Sequence, residues 1–260
     1  MSASMPVVAI EALCKDFGGL RAIDDLSLEV RQGEILGIVG PNGAGKSVLI
    51  NLITGFYQAT SGTIRFKERA ITGLSRHAIS RLGITRTFQN IRLFKRMSVL
   101  ENVLVANKRH ARAPFAALFG FGHRRRDIEQ AMEFIDLMGL ASRADQLAGT
   151  LAYGDARRLE IARALAGEPR LLLLDEPAAG MNEEETAALI DDIRASRARV
   201  DAIVLVEHDM TLIRELSDRM LAIDYGRKMA EGTTEEVFTN PVFTKAYLGL
   251  EPDAIAASHD

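Results

Sequence analysis

Gly40-Pro41-Asn42-Gly43-Ala44-Gly45-Lys46-Ser47 is the stretch on which the fold of this chain turns. It fits G-x-x-x-x-G-K-[ST] at every fixed position. The run before it, Glu34 to Val39, is almost wholly apolar, as a central strand covered on both faces requires. After it, Val48, Leu49, Leu52 and Ile53 recur at helical spacing from Lys46 to Thr54, and Gly55 supplies a stop. Strand, glycine loop and helix therefore follow one another. In that setting the glycines let the backbone wrap an anion so that its N–H groups point at phosphate oxygens, and the helix N-terminus adds a favourable dipole. Lys46 reaches the outer phosphates and the Ser47 hydroxyl is a ligand for Mg²⁺.

Working outward, the alternation of Leu26, Leu28 and Val30 with Ser27 and Glu29 predicts a half-buried strand, and 62–66 predicts another. A helix over 75–81 and a strand over 84–88 follow. Ser98-x-x-Glu101 is a capping box opening a helix to about 108, and residues 109–126 are irregular. A helix over 127–138 places Ile128, Ala131, Met132, Ile135 and Met138 on one face. The α/β rhythm resumes with Leu171-Leu172-Leu173-Leu174, a short buried strand that delivers Asp175 and Glu176 at its C-terminal edge, where parallel sheets bind ligands. Asp175 suits a magnesium position, and Glu176 suits orienting or deprotonating an attacking water. Asn182-x-x-Glu185 caps the next helix. A strand over 203–206, a helix over 210–216, a hairpin turning at Tyr225-Gly226, a helix capped by Thr233-x-x-Glu236 and a last helix over 241–248 complete the chain.

The 260 residues are 47% hydrophobic and 26% charged, an ordinary globular composition that excludes disorder over most of the length. Lys+Arg 32 against Asp+Glu 35 gives a net charge of −3, which argues against nucleic acid as a partner. The single Cys14 excludes an intramolecular disulfide. No apolar run approaches the ~18 residues of a membrane span, and Met1 to Pro6 lack the features of a secretory leader, so a cytoplasmic chain is expected.

Leu151-Ala152-Tyr153-Gly154-Asp155-Ala156-Arg157-Arg158-Leu159-Glu160-Ile161-Ala162-Arg163-Ala164-Leu165 resembles the signature motif of the ABC ATPases, L-S-G-G-Q followed by an R-x-x-[IL]-A-R-A-L helix. Gln89 stands where that family has its Q-loop, His208 where it has its switch histidine, and Ala179-Gly180-Met181-Asn182 at the D-loop. The resemblance implies an α/β P-loop NTPase core, a mixed sheet flanked by helices with N-terminal antiparallel strands and an inserted α-helical subdomain. On that reading one nucleotide-binding domain spans 7–255, with a core at 7–89 and 167–232, a helical subdomain over 90–166, C-terminal helices over 233–250, and tails at 1–6 and 251–260.

The same resemblance implies an ATPase using ATP and Mg²⁺. Catalysis falls to Glu176, His208, Gln89 and Lys46. The nucleotide is held by Gly40, Pro41, Asn42, Gly43, Ala44, Gly45, Lys46, Ser47 and Val48, with Phe17 stacked on adenine, and the metal by Ser47, Gln89 and Asp175. In this family two domains face head to tail, so Ala152, Tyr153, Gly154 and Asp155 serve the partner's ATP. Ala152 departs from the signature serine, Tyr153 from a glycine and Asp155 from a glutamine, the last adding a negative charge beside a triphosphate. Ala-Tyr-Gly forms occur in importers of branched-chain amino acids. Gly83 to Phe94, Met97 to Val103 and the ending Ala246-Tyr247-Leu248-Gly249 also look like the larger ATPase of such hydrophobic amino-acid importers. The implied partners are transmembrane permeases, a second ABC ATPase, with a heterodimer favoured over the alternative homodimer, and, indirectly, a substrate-binding protein, with the chain peripheral on the cytoplasmic face of the membrane. Lipopolysaccharide export and a soluble regulatory ATPase are the alternatives. The cluster Ile91, Leu93, Phe94 and Met97 among Arg92, Lys95 and Arg96 is either a core flap or the surface that docks a permease.

Overall fold

The computed structural model describes residues 5–107 and 125–248, and it divides into two compact units. Of the expected irregular stretch 109–126, residues 109–124 lie outside the described residues and 125–126 belong to a helix; residues 1–4 of the tail 1–6 and all of the tail 251–260 also lie outside.

The first unit comprises the chain up to Leu82 and from Asp201 on. Ile35–Val39 lies at its centre with every residue buried, flanked by Ala202–Val206 and Arg219–Asp224, both parallel to it. Parallel neighbours on both edges and a wholly apolar strand belong together, since helices must cover the faces of such a sheet. Arg219–Asp224 turns at Tyr225 and Gly226 into Arg227–Gly232, the expected hairpin, which adds one antiparallel strand and makes the sheet mixed. Helix Met210–Leu216, capped by Asp209, packs on Ile35–Val39. The helix after the glycine loop runs Lys46–Ile53 and stops at Thr54, with Gly55 at φ +69°.

A separate antiparallel sheet in this unit has the order Leu20–Val30, Val8–Phe17, Ser61–Phe66, Arg69–Ala70. In Leu20–Val30 the buried Leu26, Leu28 and Val30 alternate with exposed Ser27 and Glu29, as expected. Val8–Phe17 shows no such alternation, because register shifts interrupt its pairing between Ile10 and Leu13 and Ala12 sits at φ +46°.

Among the described residues, the second unit, Gly83–Val200, holds the parallel pair Ile84–Arg86 and Leu171–Asp175 and four α-helices. Val99–Ala106, with its Ser98/Glu101 capping box, packs on Arg125–Leu137 and on Tyr153–Ala166; Glu183–Ser196 opens at the Asn182/Glu185 capping box. Two sequence expectations shift here. The buried stripe of Arg125–Leu137 runs through Asp127, Ala131, Phe134 and Ile135 and on to Met138. Ile128 is exposed: an i, i+4, i+7, i+8 stripe starting at 127 leaves it outside. The strand expected over 84–88 ends at Arg86, because the carbonyls of Phe88 and Gln89 are taken by a side chain instead of a strand neighbour.

Candidate nucleotide site

The glycine loop is built by close backbone approach. A Cβ on Gly40 would lie 2.3 Å from the Ile223 carbonyl oxygen. One on Gly45, at φ +107°, would lie 2.8 Å from that of Ala22. Only glycine fits either position without moving the chain. The Gly226 N–H donates to the Ala44 carbonyl at 2.8 Å, so the hairpin turn backs the loop from below. Gly40 N–H donates to the Tyr247 hydroxyl at 3.0 Å, and Tyr247 stacks on the buried Phe243 with ring centroids 5.1 Å apart. The sequence reading did not single out Tyr247 as a support of the loop. Burial pushes its hydroxyl pKa up. Lys46 is buried, and its ammonium donates to the carbonyls of Gly40 and Pro41, which holds the positive charge against the loop. Pro41, Asn42, Gly43 and Ser47 are exposed, Ala44 and Gly45 are buried, and Val48 is half-buried.

Phe17 is 38% exposed, which removes the alternative of a core residue. Tyr57 meets it edge-on at 5.0 Å and the Lys15 ammonium lies 4.7 Å from its ring centroid. His208 follows the strand Ala202–Val206 and is exposed. Beside it, the buried Glu207 brings a carboxylate oxygen 3.7 Å from His208 Nδ1 and accepts the His208 N–H at 3.2 Å. Glu207 was missed in the sequence. An acidic residue before a histidine carries no signal until the strand end buries it.

In the second unit Leu171–Asp175 is buried along its whole length and ends on Asp175, whose N–H donates to Thr87 Oγ1 at 3.4 Å. Glu176 follows in the left-handed region, at φ +48°, a conformation that a non-glycine residue holds only when its surroundings impose it. Gln89 Nε2 donates to Glu176 Oε2 at 2.8 Å. The two residues the sequence assigned to the reaction in this unit are thus in direct contact.

The signature helix runs Tyr153–Ala166, with Ala152 as its N-cap. Gly154 is buried, and a Cβ there would meet Glu185 Oε1 at 2.7 Å. Tyr153 reaches across to donate to the Ala179 carbonyl at 2.9 Å. Asp155 accepts from Arg143 and has Arg158 Nη1 3.9 Å from its other oxygen, while Arg158 also pairs with Asp192. Burial pushes the Asp192 carboxyl up and its hydrogen bond from Arg158 pulls it down. The charge that Asp155 adds is therefore matched locally. A cleft of about 260 Å³ is lined by Gly154, Asp155, Arg158, Met181, Glu184 and Glu185.

Downstream of Gln89, Phe94 is 49% exposed with Arg163 over its ring at 5.3 Å, so it is surface and not a core flap. The loop around it is fixed by Asn102, another residue the sequence reading passed over. Its fully buried side chain accepts the Phe94 N–H at 2.9 Å and donates to the carbonyls of Phe94, Met97 and Ser98. No helix among the described residues is long and apolar enough to cross a membrane.

The family model described as ABC transporter matches residues 23–179. The high-affinity branched-chain amino acid transport ATP-binding protein BraF of Pseudomonas aeruginosa is 44% identical over 256 residues, covering 95% of this chain and 99% of its own. The protein of the same description, LivG, from Escherichia coli K12 is 41% identical over 252 residues, with the same shares covered. Among solved structures, the ADP conformation of MJ1267, an ATP-binding cassette of an ABC transporter, superposes with a TM-score of 0.84 at 30% identity, covering 95% of this chain and 100% of that one. A nucleotide-free cassette gives 0.82 at the same identity, again covering 95% and 100%. With a phosphate loop, an Asp-Glu strand end and a signature helix in place, and relatives matched along nearly their whole length, the chain belongs to the ABC transporter family as one of its ATPase subunits.

Proposed function

We propose that this chain is the ATP-hydrolysing subunit of an importer for branched-chain or related hydrophobic amino acids. The observation that carries the hydrolytic part is the hydrogen bond from Gln89 Nε2 to Glu176 Oε2, which holds a carboxylate at a strand end in one orientation. The cargo is supported by the relatives, whose names specify branched-chain amino acid transport.

The reaction is attack of water on the γ-phosphate of ATP, giving ADP and phosphate. Backbone N–H groups between Asn42 and Ser47 and the Lys46 ammonium hold the phosphates, the Gly40 N–H being taken by Tyr247 and Pro41 having none, and Phe17 offers an exposed aromatic face to adenine. Glu176 takes a proton from the attacking water, Gln89 orients Glu176, and His208, held by Glu207, donates a hydrogen bond to the γ-phosphate oxygens. Ser47, Gln89 and Asp175 are the residues that would hold Mg²⁺. Hard oxygens in a small number suit that ion, and Gln89, with its nitrogen engaged on Glu176, has its carbonyl oxygen left to serve. When bound, magnesium supplies charge neutralisation at the phosphates. Ala152, Tyr153, Gly154 and Asp155 face the nucleotide of a second, different ABC ATPase.

The chain works on the cytoplasmic face of the membrane as a peripheral subunit. The exposed Phe94, with Ile91, Leu93 and Met97, forms the apolar part of a groove for a permease, and a substrate-binding protein acts through that permease. The helical subdomain over 90–166 carries both this groove and the signature.

Glu176→Gln tests the reading. It keeps shape and hydrogen bonding and removes the base, so ATP binding should survive while hydrolysis falls about 10²–10⁴-fold. Near-normal turnover in this variant would overturn the role of Glu176.

A further inference from the structure

One fully buried side chain joins the signature helix to the loop that carries Gln89. Arg157 is 0% exposed. Its Nη1 donates to the Phe88 carbonyl at 2.7 Å and to Glu160 Oε2 at 2.8 Å. Its Nη2 donates to the Gln89 carbonyl at 2.7 Å and to the Tyr153 hydroxyl at 3.3 Å. Glu160 returns its other oxygen to the Phe88 N–H at 3.4 Å. Burying a guanidinium is costly unless acceptors surround it, and its planar fork serves several elements at once, which an ammonium does not.

The contacts continue at both ends. Tyr153, held by Arg157, donates to the Ala179 carbonyl in the loop before Glu183–Ser196. Gln89, held by Arg157 through its carbonyl, donates through its side chain to Glu176. Glu176 and Ala179 lie on the same connection after Leu171–Asp175, so the contacts form a closed ring: Glu176, Gln89, Arg157, Tyr153, Ala179. Tyr153, the most conspicuous departure from the family's signature, is a member of that ring.

We propose that Arg157 is a positioning residue that ties Gln89 to the loop Ala179-Gly180-Met181-Asn182 through Tyr153, so that the Glu176 carboxylate and the signature loop take up their working positions together. The proposal rests on the ATPase reading above. Arg157 touches neither water nor phosphate and acts only through what it holds. A merely structural Arg157 needs Glu160 alone as its counter-ion; here three of its four acceptors belong to residues on either side of the reaction. Tyr153 separates the two roles, because at 45% exposure its hydroxyl contributes to the ring and little to the core.

The experiment is a double-mutant cycle on the full chain assembled with its partner ATPase and permease, reading kcat, KM for ATP and the melting midpoint. Tyr153→Phe removes one hydroxyl, and kcat should fall about 5-fold, the size of one neutral hydrogen bond, with KM and melting midpoint unchanged. Arg157→Lys keeps the charge and loses the fork, and kcat should fall more than about 10-fold. Combined, the two should fall no further than Arg157→Lys alone, since members of one network are not additive. If Arg157→Lys does not fold, Glu160→Gln takes its place in the cycle with the same criteria. Unchanged kcat in Tyr153→Phe overturns the proposal. So do additive effects, which would mean that Tyr153 acts on nucleotide independently. A wild-type assembly without ATP turnover overturns the ATPase reading itself, whereas additivity in an active assembly overturns this proposal alone.

Discussion

The glycine loop and the signature loop both lead into the N-terminus of a helix, yet they are built by different means. The glycine loop is backbone against backbone: Gly40 against Ile223, Gly45 against Ala22, Gly226 N–H on the Ala44 carbonyl. The signature loop is held by side chains: Tyr153 on the Ala179 carbonyl, Arg157 on the Phe88 and Gln89 carbonyls, Arg143 on Asp155 and Arg158 on Asp192. A backbone-built site admits one residue type at each close approach, so it conserves its spelling. A side-chain-built site can exchange letters provided the partners change with them. That is why the chain matches the first motif at every fixed position and departs from the second at three.

The largest effects should come from the rigid loop. Lys46→Ala removes the charge facing the outer phosphates, and Gly40→Ala drives a methyl into the Ile223 carbonyl. Either should lower Mg-ATP affinity by at least about 10²-fold, the loss of one or two charge-assisted hydrogen bonds together with their geometry. Titration calorimetry reads it directly. Unchanged affinity in both variants would show that the glycine loop is not the phosphate site and would erase the contrast between the two loops.

The contrast also explains what was legible in the sequence. Three capping boxes, the central strand Ile35–Val39 and the hairpin at Tyr225-Gly226 are local, and each was read from residues within a few positions of one another. Val8–Phe17 was not, because its shifts at Ile10/Leu13 and Leu13/Lys15 break the period of two on which strand reading depends. Phe134 was left off the buried face of its helix because Ile128 suggested a different starting phase. Asn102, Arg157 and Glu207 were missed for a shared reason. Each is a polar residue that burial turns into an organiser, and its hydrogen-bond partners lie on another stretch of chain or on main-chain atoms, which have no letter of their own.

An intermediate effect belongs to the loop held by Asn102. It is side-chain-built like the signature, and on the proposed reading it serves a permease and not a nucleotide. Large side chains in a desolvated interface centre are worth about 2 kcal/mol or more, close to 30-fold in affinity. Phe94→Asp should therefore leave the chain folded and ATP-binding, with its melting midpoint little changed, and abolish co-purification with the permease. A variant that unfolds would return Phe94 to the core. One that folds and still supports uptake would move the docking surface elsewhere.

The smallest expected effect is the most telling for the comparison. Asp155 replaces a glutamine at the N-terminal turn of Tyr153–Ala166, where an isolated carboxylate beside a triphosphate ought to weaken the half-site. The structure surrounds it with Arg143 and Arg158, and Arg158 in turn serves Asp192. Two cations against two anions cancel, and Asp155 gains in addition from the helix dipole. Asp155→Gln should therefore change KM for ATP by less than about 3-fold, the scale of a partly exposed ion pair. Arg143→Ala in the wild-type chain removes one cation and leaves the cluster negative, so KM should rise, and the rise should shrink as added salt screens the charge. In the Asp155→Gln background the same Arg143→Ala only takes the cluster from one net positive charge to neutral and leaves no uncovered carboxylate, so the rise in KM should largely vanish. A 10-fold gain in affinity from Asp155→Gln alone would mean that the carboxylate is uncompensated and that the signature loop has lost a letter without changing its partners. An Arg143→Ala effect that persists in the Asp155→Gln background would place Arg143 on the nucleotide itself.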